Sequence, residues 1–204
     1  MRSPARLGPA RIKYTLVLAV IAVSALVLLA WSRDWYVFTL AGDSAERVAV
    51  PGSVAAPALS ALALAGIALA AALAIAGPVF RVILGVLQIA LGACIVLSAS
   101  LAAADPVAAG ARAVTDSTGI DGAASVAALV ADVAGGTWAA VTLALGVLAA
   151  LLGVAVLITS RRWPASSRRY SAVQFDEAPA RGRDASVSDW DTLSDGRDPT
   201  GGDR

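Results

Sequence analysis

The chain has 204 residues, of which 58% are apolar and 15% charged, whereas a soluble domain is usually about 45–50% apolar and a quarter charged. Sixteen Lys and Arg against fifteen Asp and Glu leave a formal net charge of +1, which argues against a bulk electrostatic partner such as nucleic acid. With no histidine and a single cysteine, Cys94, one chain lacks the material for a disulfide framework, a zinc cluster or a histidine-based triad.

The positions of the charges divide the chain. Residues 1–13 form a basic N-terminal tail with Arg2, Arg6, Arg11, Lys13 and no acid. Charge-free runs follow at 14–32, 48–80, 82–104 and 133–160. A helix crosses the hydrocarbon with about 20 apolar residues at about 1.5 Å each, so each run is long enough for one crossing and too short for two. The expected spans are 14–31, 57–77, 82–103 and 137–159, joined by a loop at 32–56, a turn at 78–81 and a loop at 104–136, with a polar tail over 160–204. Buried helices of a soluble protein would carry charges on a polar face, and these segments carry none. A cleaved signal peptide is the other reading of the first span. Its apolar run exceeds the usual length of about 7–15 residues and no clear small-x-small site stands before Trp31, so it reads as an uncleaved anchor.

Lys and Arg beside the spans set the orientation. The N-terminal tail, the turn with Arg81 and the segment with Arg161, Arg162, Arg168 and Arg169 are basic. The two longer loops hold Arg33, Arg47 and Arg112 against Asp34, Asp43, Glu46, Asp105, Asp116, Asp121 and Asp132. Both termini are therefore expected in the cytoplasm and both longer loops outside. Trp31, Trp35, Tyr36 and Trp138 at one surface, and Tyr14 and Trp163 at the other, read as interfacial anchors, where an indole ring lies in apolar surroundings and its N–H finds a partner.

Lipid gives helices little hydrophobic reason to associate, so small residues that admit close backbone approach matter. Gly85 and Gly92 on the third span, and Gly146 and Gly153 on the fourth, each lie seven apart and form a seam on one helix face. Gln88 lies between the first pair on the same side and reads as interhelical glue, the alternative being the lining of a polar path. The Ala-rich second span is slim enough to sit inside the bundle, with the Leu- and Val-rich first span more exposed to lipid. Cys94 reads as a small apolar packer. No Asp, Glu or His lies within a span, which weighs against a proton-driven carrier.

In the first loop, WYVFTL and RVAVPG flank a Gly-Asp-Ser turn and predict a short β-hairpin. In the second, Ala123 to Val133 predicts a short surface helix, and the spacing of Asp116, Asp121 and Asp132 lacks a calcium-loop pattern. The tail from residue 165 is too polar to form a core and is expected to be disordered. Arg161, Arg162, Trp163, Arg168, Arg169 and Tyr170 are candidates for anionic-headgroup contact. Trp190 and Leu193, three apart, could share one face of an induced helix docking on a protein partner.

The R-R-W-P and R-R-Y motifs, together with W-D-x-L-x-x-G-x-D-P-T at Trp190, Asp191, Leu193, Gly196, Asp198, Pro199 and Thr200, resemble the actinobacterial tryptophan-biosynthesis-associated membrane proteins. The stretch VAVPGSVAAPALSALALAG and R-V-I-L-G-V-L from Arg81 are similar to that family too. The chain departs from the pattern at Asp195 and Arg197, where an arginine and an acid would be expected. The resemblance implies a plasma-membrane protein tied to tryptophan synthesis by gene neighbourhood, with no catalytic residue. The resulting expectation is an all-α, four-helix membrane bundle with no cofactor or metal, acting as a non-enzymatic accessory whose tail recruits a cytoplasmic partner. Passage of tryptophan, indole or a related aromatic, through a homo-oligomer lined by Gln88 and the glycine seams, is the alternative reading, and organisation of an anionic lipid surface is a third.

Overall fold

The computed structural model describes residues 9–42 and 46–160. Among the described residues, four helices are long and apolar enough to cross a bilayer: α1 (Pro9–Trp31), α3 (Ala58–Ile75), α4 (Pro78–Ala104) and α7 (Trp138–Thr159). A helix satisfies its own backbone groups, which is what hydrocarbon requires of a spanning segment. Between α1 and α3 lie strands β1 (Asp34–Leu40) and β2 (Arg47–Pro51) and the single-turn helix α2 (Gly52–Ala55). Between α4 and α7 lie helix α5 (Pro106–Thr118), helix α6 (Ala123–Leu129) and strand β3 (Val130–Gly135).

Packing runs from α1 to α3 to α4 to α7 and back to α1, and α4 with α7 makes the most extensive contact. One end of this four-cornered ring, the open end, holds the start of α1, the α3–α4 turn and the end of α7. The other, the head end, carries the strands and short helices. Because each spanning helix occupies a corner, the slim second helix is not interior as the composition suggested. α1 and α3 bury the same third of their apolar spans.

The predicted hairpin is present and gains a third strand. The sheet is antiparallel in the order β2-β1-β3, with Phe38 paired to Val48 on one side and to Val133 on the other. The helix expected over Ala123 to Val133 stops at Leu129, because the remaining residues pair with the free edge of β1. Helix α5 was not expected at all. Its ends carry clear signals: the Asp105 carboxylate accepts from the Ala108 N–H at 2.9 Å, Pro106 opens the first turn, and Gly119 closes the helix at φ 73°.

Trp35, Phe38, Val50, Val114 and Val126 lie in one buried cluster that joins the sheet and α5 to the upper bundle. A second cluster, with Val17, Val20, Leu73 and Val156, holds the open end. Trp35 and Tyr36 are therefore core residues and not interfacial anchors. The Trp35 indole N–H donates to the Ala30 carbonyl at 2.8 Å, and the Tyr36 hydroxyl to the Ala102 carbonyl at 3.1 Å. Tyr14 is 65% exposed, and Trp138 lies half-buried beneath the Arg33 guanidinium, 6.0 Å from its ring centroid.

Helix bounds differ from the charge-free runs at the open end. α1 begins five residues earlier than residue 14, and α4 absorbs the turn expected at 78–81. Pro78 starts a helix readily because its missing N–H would have no intrahelical partner there. Arg81 is thus helical and faces inward.

Candidate functional site

The buried residues of α4 are Arg81, Gly85, Gln88, Gly92, Ile95, Ala99 and Ala102. Those of α7 are Ala139, Thr142, Gly146, Ala149, Gly153 and Val156. Both series alternate steps of three and four, the 3.5-residue repeat of helices that wind around each other with a left-handed twist. The two helices run antiparallel, and the glycines let their backbones touch. A Cβ on Gly92 would overlap the Ala150 amide nitrogen and lie 2.7 Å from the Gly146 carbonyl oxygen. On Gly153 it would lie 2.8 Å from the Ile89 nitrogen and 2.9 Å from the Gly85 oxygen. A Cβ on Gly85 would meet the Leu157 side chain at 2.7 Å, and one on Gly146 would meet Val96 at 2.8 Å.

Gln88 sits inside this seam at 2% exposure. Its Nε2 donates to the Ala149 carbonyl at 3.3 Å, while its buried Oε1 accepts nothing within the described residues. An unmet acceptor in a dry interior has a real cost, so Gln88 ties the two helices through one bond and at some expense. Thr142, fully buried on the facing helix, returns its hydroxyl to the Trp138 carbonyl at 2.9 Å. On the opposite side of the ring, Ser24 of α1 lies against Gly66 of α3, where a Cβ would overlap the serine Oγ. Sequence reasoning found the four glycines and Gln88. It missed Arg81, Thr142 and Ser24, although the two 3.5-residue series include the first two.

At the open end, cations meet the last carbonyls of α3. Lys13 Nζ donates to the Ala74 carbonyl at 2.6 Å and Arg81 Nε to the Ala76 carbonyl at 3.0 Å. Orphan carbonyls at a helix C-terminus carry partial negative charge, and a neighbouring ammonium or guanidinium satisfies it. Arg81 has further partners beyond this bond.

Between α3 and α4 a groove of about 520 Å³ opens sideways, with Cys94 exposed in its wall. A smaller hollow of about 250 Å³ lies under the head, where Asp105 and Ser98 join Ala56 and Ala109. Asp116, Asp121 and Asp132 stand apart on α5, a turn and β3, and among the described residues no three His, Cys, Asp or Glu side chains gather as a metal site. The candidate headgroup contacts Arg161, Arg162, Trp163, Arg168, Arg169 and Tyr170 lie outside the described residues. So do the docking candidates Trp190, Asp191, Leu193, Gly196, Asp198, Pro199 and Thr200.

No curated protein and no solved structure matches the chain. A family model described as tryptophan-associated transmembrane protein matches residues 17–200, which takes in most of α1, the other three spanning helices, the head and nearly the whole tail. The chain, a multi-pass membrane protein by its helices, belongs to the tryptophan-associated transmembrane protein family.

Proposed function

We propose that this protein is a non-enzymatic membrane accessory of tryptophan metabolism, in which the bundle is the anchor and the C-terminal tail holds a cytoplasmic partner. The observation supporting this reading is the closed seam. With the backbones of α4 and α7 in contact at Gly92 and Gly153, Gln88 is enclosed by packing, and a solute route along that seam would require the two helices to part. The chemistry left over by the fold is then the tail motif, with Trp190 and Leu193 as its apolar points. A Trp and a Leu three apart suit an induced helix on a groove of the partner, and the arginines from Arg161 to Arg169 would hold the start of the tail at anionic headgroups. Both termini are placed in the cytoplasm, a placement favoured by Lys13 and Arg81 gathering at the open end.

The test is cross-linking of the full-length protein in its native membrane, comparing wild type with Trp190→Ala and Leu193→Ala. A tryptophan-biosynthetic enzyme cross-linked to wild type and depleted in both variants is the expected result. Equal recovery from all three, together with tryptophan or indole flux that depends on the protein in liposomes, would replace the accessory reading with transport.

A further inference from the structure

The groove between α3 and α4 is distinct from the glycine seam and from the tail. Ala65, Ala68 and Ala72 form one wall, and Leu84, Leu87 and Ala90 form the other. A second hollow of about 320 Å³ shares Ala72 and Leu84 and continues past Phe80 to Ala76 and Gly77 at the α3–α4 turn. Together they make one apolar slot that begins at the open end and stops near Cys94. From Phe80 to Cys94 is fourteen residues of α4, or about 21 Å of helix, against about 15 Å for half of a 30 Å hydrocarbon core.

We infer that this slot seats one acyl chain of an anionic phospholipid from the leaflet at the open end. Three observations select that occupant. Both walls of the slot are alanine and leucine, with the Cys94 thiol at the inner end, so an aliphatic chain meets no charged side chain along its length. Its depth covers one leaflet and ends shortly beyond the midplane, whereas a packed helix from another chain would use a face running the full span. Its mouth has a cation beside it: Lys13 reaches the Ala74 carbonyl, two residues from Ala76, which lines the mouth, while Arg81 is buried on the inner side of α4 and stays with the bundle. Lys13 is only partly buried, and an ammonium has three donors, so it can hold a lipid phosphate while it caps α3.

The proposal is tested on the full-length protein by native mass spectrometry, titrating phosphatidylglycerol and phosphatidylcholine of the same chains. Expected is one phosphatidylglycerol retained per chain, with affinity about fivefold lower in Lys13→Gln, the equivalent of one lysine near an anionic surface, and restored in Lys13→Arg. Ala68→Phe and Ala90→Phe, at exposed wall positions, fill the slot from opposite sides, and each should abolish retention of that one lipid. A readout on the wild-type protein needs no variant: alkylation of Cys94, the chain's only cysteine, by N-ethylmaleimide should slow as phosphatidylglycerol is added. Equal retention of both lipids, retention unchanged by the phenylalanine variants, or Cys94 alkylation indifferent to lipid would overturn the assignment. So would rapid Cys94–Cys94 disulfide formation, which would mean that a second copy covers the slot.

Discussion

At Gly92 the absent side chain matters because the atoms across the seam are backbone and cannot rotate away. A methyl group there must push α7 outward along its length, since its neighbours are the Ala150 nitrogen and the Gly146 oxygen. Overpacking of a tight interior costs about 1–3 kcal/mol, so Gly92→Ala should lower stability in a denaturant titration of the bicelle-reconstituted protein by that order. Gly77→Ala, where nothing lies within 4 Å, should be close to neutral. Tyr36 makes a different point at the same scale. Its hydroxyl bonds the Ala102 carbonyl, and losing an ordinary hydrogen bond costs about 1 kcal/mol, so Tyr36→Phe should destabilise the head by that amount. Burial raises the Tyr36 phenol above its ordinary value of 10.0. The unfolded chain therefore releases this proton first, and the contribution of the neutral phenol is full below pH 10 and lost as pH rises through the folded value. The advantage of wild type over Tyr36→Phe should shrink in alkaline titrations above pH 10. An advantage that grows there would contradict the buried, neutral phenol.

At the scale of elements, the spanning helices were plain in the sequence because hydrocarbon tolerates almost no charge, and the gaps between charges are their outline. The glycine seam was legible for a related reason: a seven-residue spacing on two helices is a repeat that a reader can count. β3 was hidden by a competing period. Val126, Leu129, Val130 and Val133 fall at i, i+3, i+4 and i+7, the pattern of an amphipathic helix, yet the last two belong to a strand because β1 offers an edge that only the tertiary structure creates. α5 is the opposite case, since Asp105, Pro106 and Gly119 announce both its ends and its modest apolarity drew attention away from them. The same element carries a prediction. Gly110 of α5 lies under Phe38, where a Cβ would be 2.5 Å from the ring and 3.0 Å from Val50. Gly110→Val should lift α5 from the sheet, raising amide exchange in α5 and β1 while α4 and α7 keep their protection, because local opening follows the contacts each unit makes. Exchange rising equally in α7 would show that head and bundle open as one.

For the whole molecule, the fold sorts the charges that the sequence only counted. Among the described residues, the open end holds Arg11, Lys13 and Arg81 and no acid, while Asp34, Glu46, Asp105, Asp116, Asp121 and Asp132 all lie at the head end with three arginines. That separation is a field of one sense across the bilayer, and basic flanks stay on the cytoplasmic side. It predicts an external head in a Cys94→Ser background. A cysteine replacing Asp121, exposed at the head, should react with a membrane-impermeant maleimide in intact cells. One replacing Gly77, in the open α3–α4 turn, should react only after permeabilisation. The reversed pattern would put the sheet in the cytoplasm and the tail outside it. Trp190 and Leu193 would then have no cytoplasmic partner to hold, so one labelling experiment decides both the topology and whether the tail can act as proposed.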